Sequence, residues 1–359
     1  MTAIKSRKGL VNMRKITAHT SKVYDIVIGE NLLNDCGSYI KNAVSPCKAM
    51  ILSDSNVAPI YMERVEKSLK NAGFDVYSHI FPAGEQNKVF ETVYKIDIAL
   101  AEALFTRSDI VVALGGGVTG DMAGFAAAVY MRGIRFVQLS TSLLSDIDSS
   151  VGGKTGCDLP NGKNLVGAFH QPEIVVIDTK ALDTLPEKYI CDGMGEAVKY
   201  GVIRSKELFD KIENGYDTEN LIYDCVRIKC DIVENDERES GESKLLNFGN
   251  TLGHAIEKYY NFDKLSHGEA VAIGMVMMAK AAEKNKICDV GVSEKIANAC
   301  RKFNLPTECD APLAELVEIC LSDKKQASGG IDLILPTEIG NCIIKRVANS
   351  ELYEFLRKD

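Results

Sequence analysis

Hydrophobic and polar positions in the first half of the chain switch between a period of two and a helical period. Lys22–Ile28 alternates like a strand, and Lys48–Asp54, Asp75–Phe81, Asp109–Leu114 and Arg135–Leu139 are short apolar-rich runs of strand length. Between them, Tyr61–Asn71, Glu91–Ala103 and Asp121–Tyr130 carry helical spacing. Strands alternating with helices of about 10–15 residues predict βαβ units on a parallel sheet. After Leu185-Pro186 the texture changes. From Glu187 to Asp323 the pattern is almost wholly helical, with long apolar-rich runs such as Glu269–Lys284, and only Ile331–Leu335 and Cys342–Val347 read as extended. The expectation is an α/β N-terminal nucleotide-binding domain over residues 1–186 and a mostly α-helical C-terminal domain over residues 187–359.

Bulk properties narrow the function. A chain of 359 residues is long for one core and fits two domains. Its formal net charge of −8 argues against nucleic-acid and membrane-surface partners, both of which favour a basic face. No apolar run reaches the roughly 18–20 residues that span a bilayer. The basic opening, MTAIKSRKGLVNMRK, lacks an apolar core and reads as a loose leader rather than a secretory signal. Eleven cysteines, odd in number and without a C-x-x-C pair, predict reduced thiols in the cytoplasm rather than a disulfide frame or a thiolate zinc site.

Three constellations carry chemistry. Asp54 and Asn56 in SDSN, Glu85 and Lys88 in GEQNK, and Gly116, Gly117 and Asp121 in GGGVTGD follow three successive predicted strands. Carboxylates at strand ends suit a ribose diol, and glycine amides at a helix start suit a pyrophosphate, although the spacing is not the G-x-G-x-x-G fingerprint. Singly, each acidic residue reads as a solvated loop charge; together they favour dinucleotide binding. The second constellation is cationic: Arg132, Lys154, Lys163, Lys199, Lys229, Lys244, Lys324 and Lys325. Solvation is the ordinary fate of a lysine, but Lys154 in VGGKTG and Lys163 in NGKN lie in predicted glycine loops, where an ammonium serves as a point charge for phosphate. In the third, two of the five histidines fall close together, His254 in GHAIE and His267 in SHGEA, with Glu196 upstream in GMGEAVKYG. Two imidazoles and a carboxylate can hold a divalent ion, while either histidine alone reads as a core residue satisfied by the backbone.

Taken in order, GGGVTGD, DSSVGGKTG, GKNLVGAF, GMGEAVKYG, NDERESG, GHAIE, HGEAVAIGM and DKK cover nearly the whole chain and resemble the dehydroquinate synthases, within the wider sugar phosphate cyclases. The resemblance implies bound NAD, a divalent metal (Zn²⁺ or Co²⁺), a homodimer, an active site in the cleft between domains, and cyclisation of a heptulosonate phosphate with loss of phosphate. Motif by motif it places Asp54, Asn56, Glu85, Lys88, Gly116, Gly117, Val118, Asp121, Thr141, Ser142 and Thr184 on NAD, with Lys154 and Lys163 beside it. It places Lys154, Lys163, Asn164, Asn247, His254 and Lys324 or Lys325 around the substrate, with Arg132 reaching its phosphate across the dimer. Asp148 and Lys199 orient that site, and Lys229 faces the substrate carboxylate. Glu196, Asn250 and His267 become the metal ligands.

Two positions depart from the family pattern. Its third metal ligand is a histidine where this chain has Asn250, and its carboxylate-binding arginine is replaced by Ser243, with Lys244 next to it. An amide oxygen is a weaker zinc donor than an imidazole. The changes leave open a sibling cyclase acting on a sugar phosphate without a carboxylate, and a weakened paralogue that binds nucleotide. The iron-dependent polyol dehydrogenases are a more distant alternative that leaves the lysine set unexplained.

Overall fold

The computed structural model describes residues 13–239, 241–322 and 329–357. The chain falls into two compact units: one runs to Pro186 and adds Lys229–Glu234, and the other comprises Glu187–Ile228 and the chain from Asn235 onward.

The first unit contains β1 (Met13–His19), β2 (Val23–Gly29), α1 (Cys36–Ala43), β3 (Lys48–Asp54), α2 (Ala58–Ala72), β4 (Asp75–Phe81), α3 (Phe90–Glu102), β5 (Ile110–Gly115), α4 (Gly117–Val129), β6 (Arg135–Ser140), β7 (Lys154–Leu159), β8 (Gly162–Phe169) and β9 (Ile174–Asp178). Seven strands form one sheet in the order β1-β2-β9-β6-β5-β3-β4, parallel except for β1, which pairs antiparallel with β2. Because strand side chains alternate between faces, β5 feeds two cores. Ile110, Val112 and Leu114 pack with Ile40, Val65 and Leu69 beneath α1 and α2. Val111 and Ala113 pack with Val93, Ile96, Met122 and Phe125 beneath α3 and α4. Burial on both faces explains why this strand reads as an unbroken apolar run. The chain leaves β3 for β4 on one side and returns to β5 on the other, so the strand ends at Asp54 and Gly115 flank a topological switch point, where ligands of open α/β sheets bind.

Two sequence expectations are corrected here. The opening segment is not all loose leader: Met13, Arg14 and Lys15 belong to β1, pairing with Gly29, Ile28 and Val27. Lys154 and Lys163 do not sit in glycine loops. They lie on β7 and β8, a separate antiparallel hairpin in which Lys154 pairs with Phe169 and Gly162 with Leu159. The glycines mask the strand character because Gly156 and Gly167 are where the two backbones meet: a Cβ on Gly167 would lie 2.1 Å from the Thr155 carbonyl oxygen.

The second unit contains α5 (Glu187–Arg204), α6 (Lys206–Asn214), α7 (Thr218–Asn235, part of which belongs to the first unit), α8 (Asn250–Tyr259), α9 (His267–Lys284), α10 (Val292–Arg301), α11 (Leu313–Ser322), the hairpin β10 (Gly330–Glu338) and β11 (Asn341–Ala348), and α12 (Leu352–Leu356). Its central helix α9 is buried along most of its length, from Ala270 to Ala282. Small residues set its neighbours close. A Cβ on Gly274 would lie 2.2 Å from the Gly249 carbonyl oxygen, at the start of α8, and one on Gly268 would lie 2.6 Å from Asp192 of α5.

Candidate functional site

Each unit carries its own cluster of the expected residues. In the first, Gly116 caps α4 and Gly117 opens it. A Cβ on Gly116 would approach Ser142 Oγ at 2.9 Å, and one on Gly117 would approach Ser149 Oγ at the same distance. The first turn of α4 therefore presents bare amides beside hydroxyls, a cradle for an anionic group. Val118 and Asp121 continue that turn, and Thr141 and Ser142 follow β6. Asp54, at the end of β3, accepts the Asn56 and Val57 amides on Oδ1 (2.8 and 3.1 Å) and the Thr119 hydroxyl on Oδ2 (3.1 Å). The carboxylate is thus fixed to α4 and oriented at the switch point.

Beside this cradle, Lys88 is the hub. Its ammonium, buried to 4% exposure, donates to Asp121 Oδ2 at 2.6 Å and to Asn164 Oδ1 at 2.7 Å. Burial disfavours its charge, but Asp121 and Glu85 more than offset this and raise its pKa above the ordinary lysine value. Asn164 adopts φ 54, a left-handed conformation tolerated by asparagine, and its amide donates to Asp158. Lys163 lies 3.7 Å from Glu85. Lys229 donates to the carbonyl oxygen and to Oδ1 of Asp148 (2.5 and 2.8 Å), so it is held by the residue expected only to orient the site. Lys154 is exposed at the start of β7, and Thr184 is engaged by the Tyr61 hydroxyl at 2.5 Å. Arg132 is exposed at φ 65, following Met131 at φ 49.

In the second unit, Glu196 and Lys199 stand one turn apart on α5, both almost wholly buried, with Lys199 Nζ against Glu196 Oε2. The other oxygen, Oε1, lies 3.9 Å from His267 Nε2. That gap is too wide for a hydrogen bond and suits two ligands of one ion at about 2.0–2.2 Å each. His267 is the first residue of α9, which is fixed by a capping box: Ser266 accepts the Glu269 amide, and Glu269 accepts the Ser266 amide. Its Nδ1 lies 3.3 Å from Glu257 Oε2, and Glu257 is 2% exposed. This contact fixes the tautomer that turns the Nε2 lone pair toward Glu196. Burial opposes protonation of His267, but Glu257 and Glu196 raise its pKa, so the site attracts positive charge. His254 completes the cluster: ligand atoms of His254, Glu257 and His267 lie within 4.8 Å of one another.

These residues fit a divalent cation, and an unpaired atom reinforces the fit. Asn250 Oδ1 is buried with no hydrogen-bond partner among the described residues, an arrangement that is costly unless something else satisfies it. Asn247 is half-buried two residues before Gly249. Ser243 is buried, with its hydroxyl on the Asp236 carbonyl oxygen and its amide 3.1 Å from Asp236 Oδ2. Lys244 is bound to Asp332 of β10 at 2.8 Å, and Asp332 also holds Arg346 at 3.0 Å. Lys324 and Lys325 lie outside the described residues. The sequence reading missed Glu257 as a partner of His267; its signal was the spacing of three from His254, which puts both on one face of α8.

Comparison with known proteins matches two family models in succession along the chain. Residues 78–192 match the model of the 3-dehydroquinate synthase N-terminal domain, and residues 193–326 that of the C-terminal domain. The chain is 45% identical to the 3-dehydroquinate synthase of Clostridium acetobutylicum over 342 residues, 93% of this chain and 96% of that one. Among solved structures it resembles the 2-epi-5-epi-valiolone synthase of Streptomyces hygroscopicus with NAD⁺ and Zn²⁺ bound, at a TM-score of 0.85 and 25% identity, covering 96% of this chain and 98% of that one. A 2-deoxy-scyllo-inosose synthase in complex with carbaglucose-6-phosphate, NAD⁺ and Co²⁺ also reaches 0.85, at 24% identity over 96% and 99% of the two chains, and shows the fold alone.

Proposed function

The chain belongs to the 3-dehydroquinate synthase family, and from that membership we propose that it converts 3-deoxy-D-arabino-heptulosonate 7-phosphate to 3-dehydroquinate and phosphate. In reaction class it is a phosphate-eliminating carbon–oxygen lyase of the shikimate pathway, with no net oxidation. The observation that carries this reading is the pair formed by buried Glu196 and part-buried His267, 3.9 Å apart and backed by Lys199 and Glu257. A reaction needing only a nucleotide has no use for such a pair.

The cradle of Gly116, Gly117 and Ser142, with Asp54 and the Lys88–Asp121 pair, fits NAD, and Glu196, His267 and Asn250 fit the cation. When bound, NAD would supply hydride exchange at the substrate carbinol and the cation would supply Lewis acidity to its hydroxyl. The chain's own residues do the rest. Lys199 compensates part of the Glu196 charge, while Glu257 holds His267 in one tautomer. Asp121 keeps Lys88 protonated and tied to Asn164, which fixes the end of the hairpin that carries Lys163. Lys154, Lys163 and Arg132, in the first unit, supply the positive charge that stabilises departing phosphate, and His254, in the second, is assigned to the substrate. Lys229, held by Asp148, is the cation assigned to the substrate carboxylate.

Homodimer formation is part of the proposal. Phe90, Tyr94 and Ile98 recur at a spacing of four on one face of α3 and are 52%, 59% and 41% exposed, an apolar stripe suited to a second copy. The turn at Met131 and Arg132 displays the arginine outward, as a residue serving a partner's site requires. The described residues contain no helix long and apolar enough to cross a membrane, and all eleven cysteines are free thiols, in keeping with work in the cytoplasm.

The decisive assay is phosphate release from the heptulosonate phosphate with NAD after chelation and re-addition of Zn²⁺, Co²⁺ or Mn²⁺. Metal-restored release with 3-dehydroquinate as product supports the proposal. No release with any metal, despite confirmed NAD binding, rules it out.

A further inference from the structure

Resting on that reading of the donor set, we propose that Asn250 is a direct oxygen ligand of the cation and that it narrows the site's preference for zinc over harder ions such as Mn²⁺. Three observations converge. Asn250 Oδ1 is buried and has no hydrogen-bond partner among the described residues, so its lone pairs call for a Lewis acid in place of a hydrogen-bond donor. It opens α8, one turn before His254 and two before Glu257 on the helix face that meets His267. That helix start is also fixed: Gly249 and Gly274 bring the α8 and α9 backbones so close that a Cβ on Gly274 would lie 2.2 Å from the Gly249 carbonyl oxygen.

The chemistry then follows from the donors. In this assignment Glu196 offers a carboxylate oxygen, Asn250 an amide oxygen and His267 one imidazole nitrogen, because its other nitrogen faces Glu257, while His254, exposed and with its ring 5.7 Å from that of His267, is assigned to the substrate and not to the cation. Among the described residues no cysteine falls in the cluster of possible metal-holding groups, and Cys320, packed near α8, donates its thiol to the Thr251 carbonyl oxygen. Two oxygens and one nitrogen form a harder set than one with two imidazoles. Oxygen donors suit Mn²⁺ and Mg²⁺, and nitrogen donors suit Zn²⁺. Zinc still binds more tightly in absolute terms, as the general affinity order of divalent metals demands, but by a smaller margin.

The test is competition between the metal-stripped full-length protein and a chromophoric chelator for Zn²⁺ and for Mn²⁺, without NAD or substrate. Asn250→Ala is expected to weaken both metals roughly 10-fold or more, on the scale of a lost site contact. Asn250→His is expected to raise Zn²⁺ affinity by about the same factor while leaving Mn²⁺ within roughly threefold, and Asn250→Asp to favour Mn²⁺. Thermal melting of the metal-free variants separates loss of binding from loss of folding; should the alanine variant not fold, the histidine and aspartate variants carry the test. Asn250→Ala affinities within about twofold of the parent for both metals would overturn the assignment as a ligand. A parallel rise of both metals in Asn250→His would overturn the shift in preference. Because the readout is metal affinity, failure of the phosphate-release assay leaves it intact, and active enzyme with an indifferent Asn250→Ala overturns this inference alone.

Discussion

Asp146 shows what a single buried charge costs. It is wholly buried in the turn at Ser145–Ser149, and burial raises its pKa well above the ordinary carboxylate range, only partly offset by the Ser140 hydroxyl. A folded pKa above the unfolded value near 3.8 means that the folded state holds a proton which the unfolded chain releases as pH rises. The penalty is therefore absent below about pH 3.8 and grows as pH climbs toward the folded pKa, by up to about 1.4 kcal/mol per pH unit. Asn cannot ionise, so Asp146→Asn is expected to gain stability relative to the parent as pH rises from about 4 to 7. Urea titrations across that range check it, and a pH-independent difference refutes it. Glu257 is the second residue to test. With the negative charge beside His267 Nδ1 removed and only a neutral amide left to hold it, Glu257→Gln is expected to weaken metal binding roughly 10–100-fold while the metal-free protein melts near the parent temperature. Unchanged metal affinity would reduce Glu257 to a packing residue.

At the scale of elements, sequence pattern and structure agree where one physical rule dominates. Lys48–Asp54 and Asp75–Phe81 form β3 and β4 at the predicted bounds, because apolar runs between turn signals leave little choice. β7 and β8 were illegible because their glycines and lysines spell a loop locally, and only pairing makes them strands. Met13–Lys15 was missed for a similar reason: an edge strand with one partner needs little hydrophobic pattern. The helix crossings give a prediction of their own. Gly274→Ala places a methyl carbon 2.2 Å from a backbone oxygen of α8. It should cost about 1–3 kcal/mol or more and lower metal affinity, since α8 carries Asn250 and Glu257. Equilibrium unfolding and chelator competition measure the two effects, and a neutral substitution would show that the crossing can give way. If the proposed homodimer forms through α3, the parent should sediment as a dimer at micromolar concentration and the Tyr94→Glu variant as a monomer; a monomeric parent would refute the dimer, and a dimeric variant would refute this face as its interface.

Across the whole molecule, the two units divide the chemistry. The proposed NAD cradle and its carboxylates belong to the first, the proposed cation donors to the second. His267→Ala should therefore abolish metal-dependent phosphate release while leaving NAD affinity in calorimetry within about twofold, because the proposed NAD cradle is built from residues of the other unit. A matching loss of NAD binding would contradict the division. The sequence by itself determined the class of each half, the order of the βαβ units, the glycine turn after β5 and the residue types of both clusters. Those follow from local periodicity and from chemistry that few residues can supply. Only the tertiary structure decided which groups are partners. Lys229 is held by Asp148, Lys88 joins Asp121 to Asn164, Glu257 orients His267, and Asn250 is left with a buried oxygen to satisfy. Partner choice depends on distance and burial between segments tens of residues apart, and nothing in local sequence encodes either.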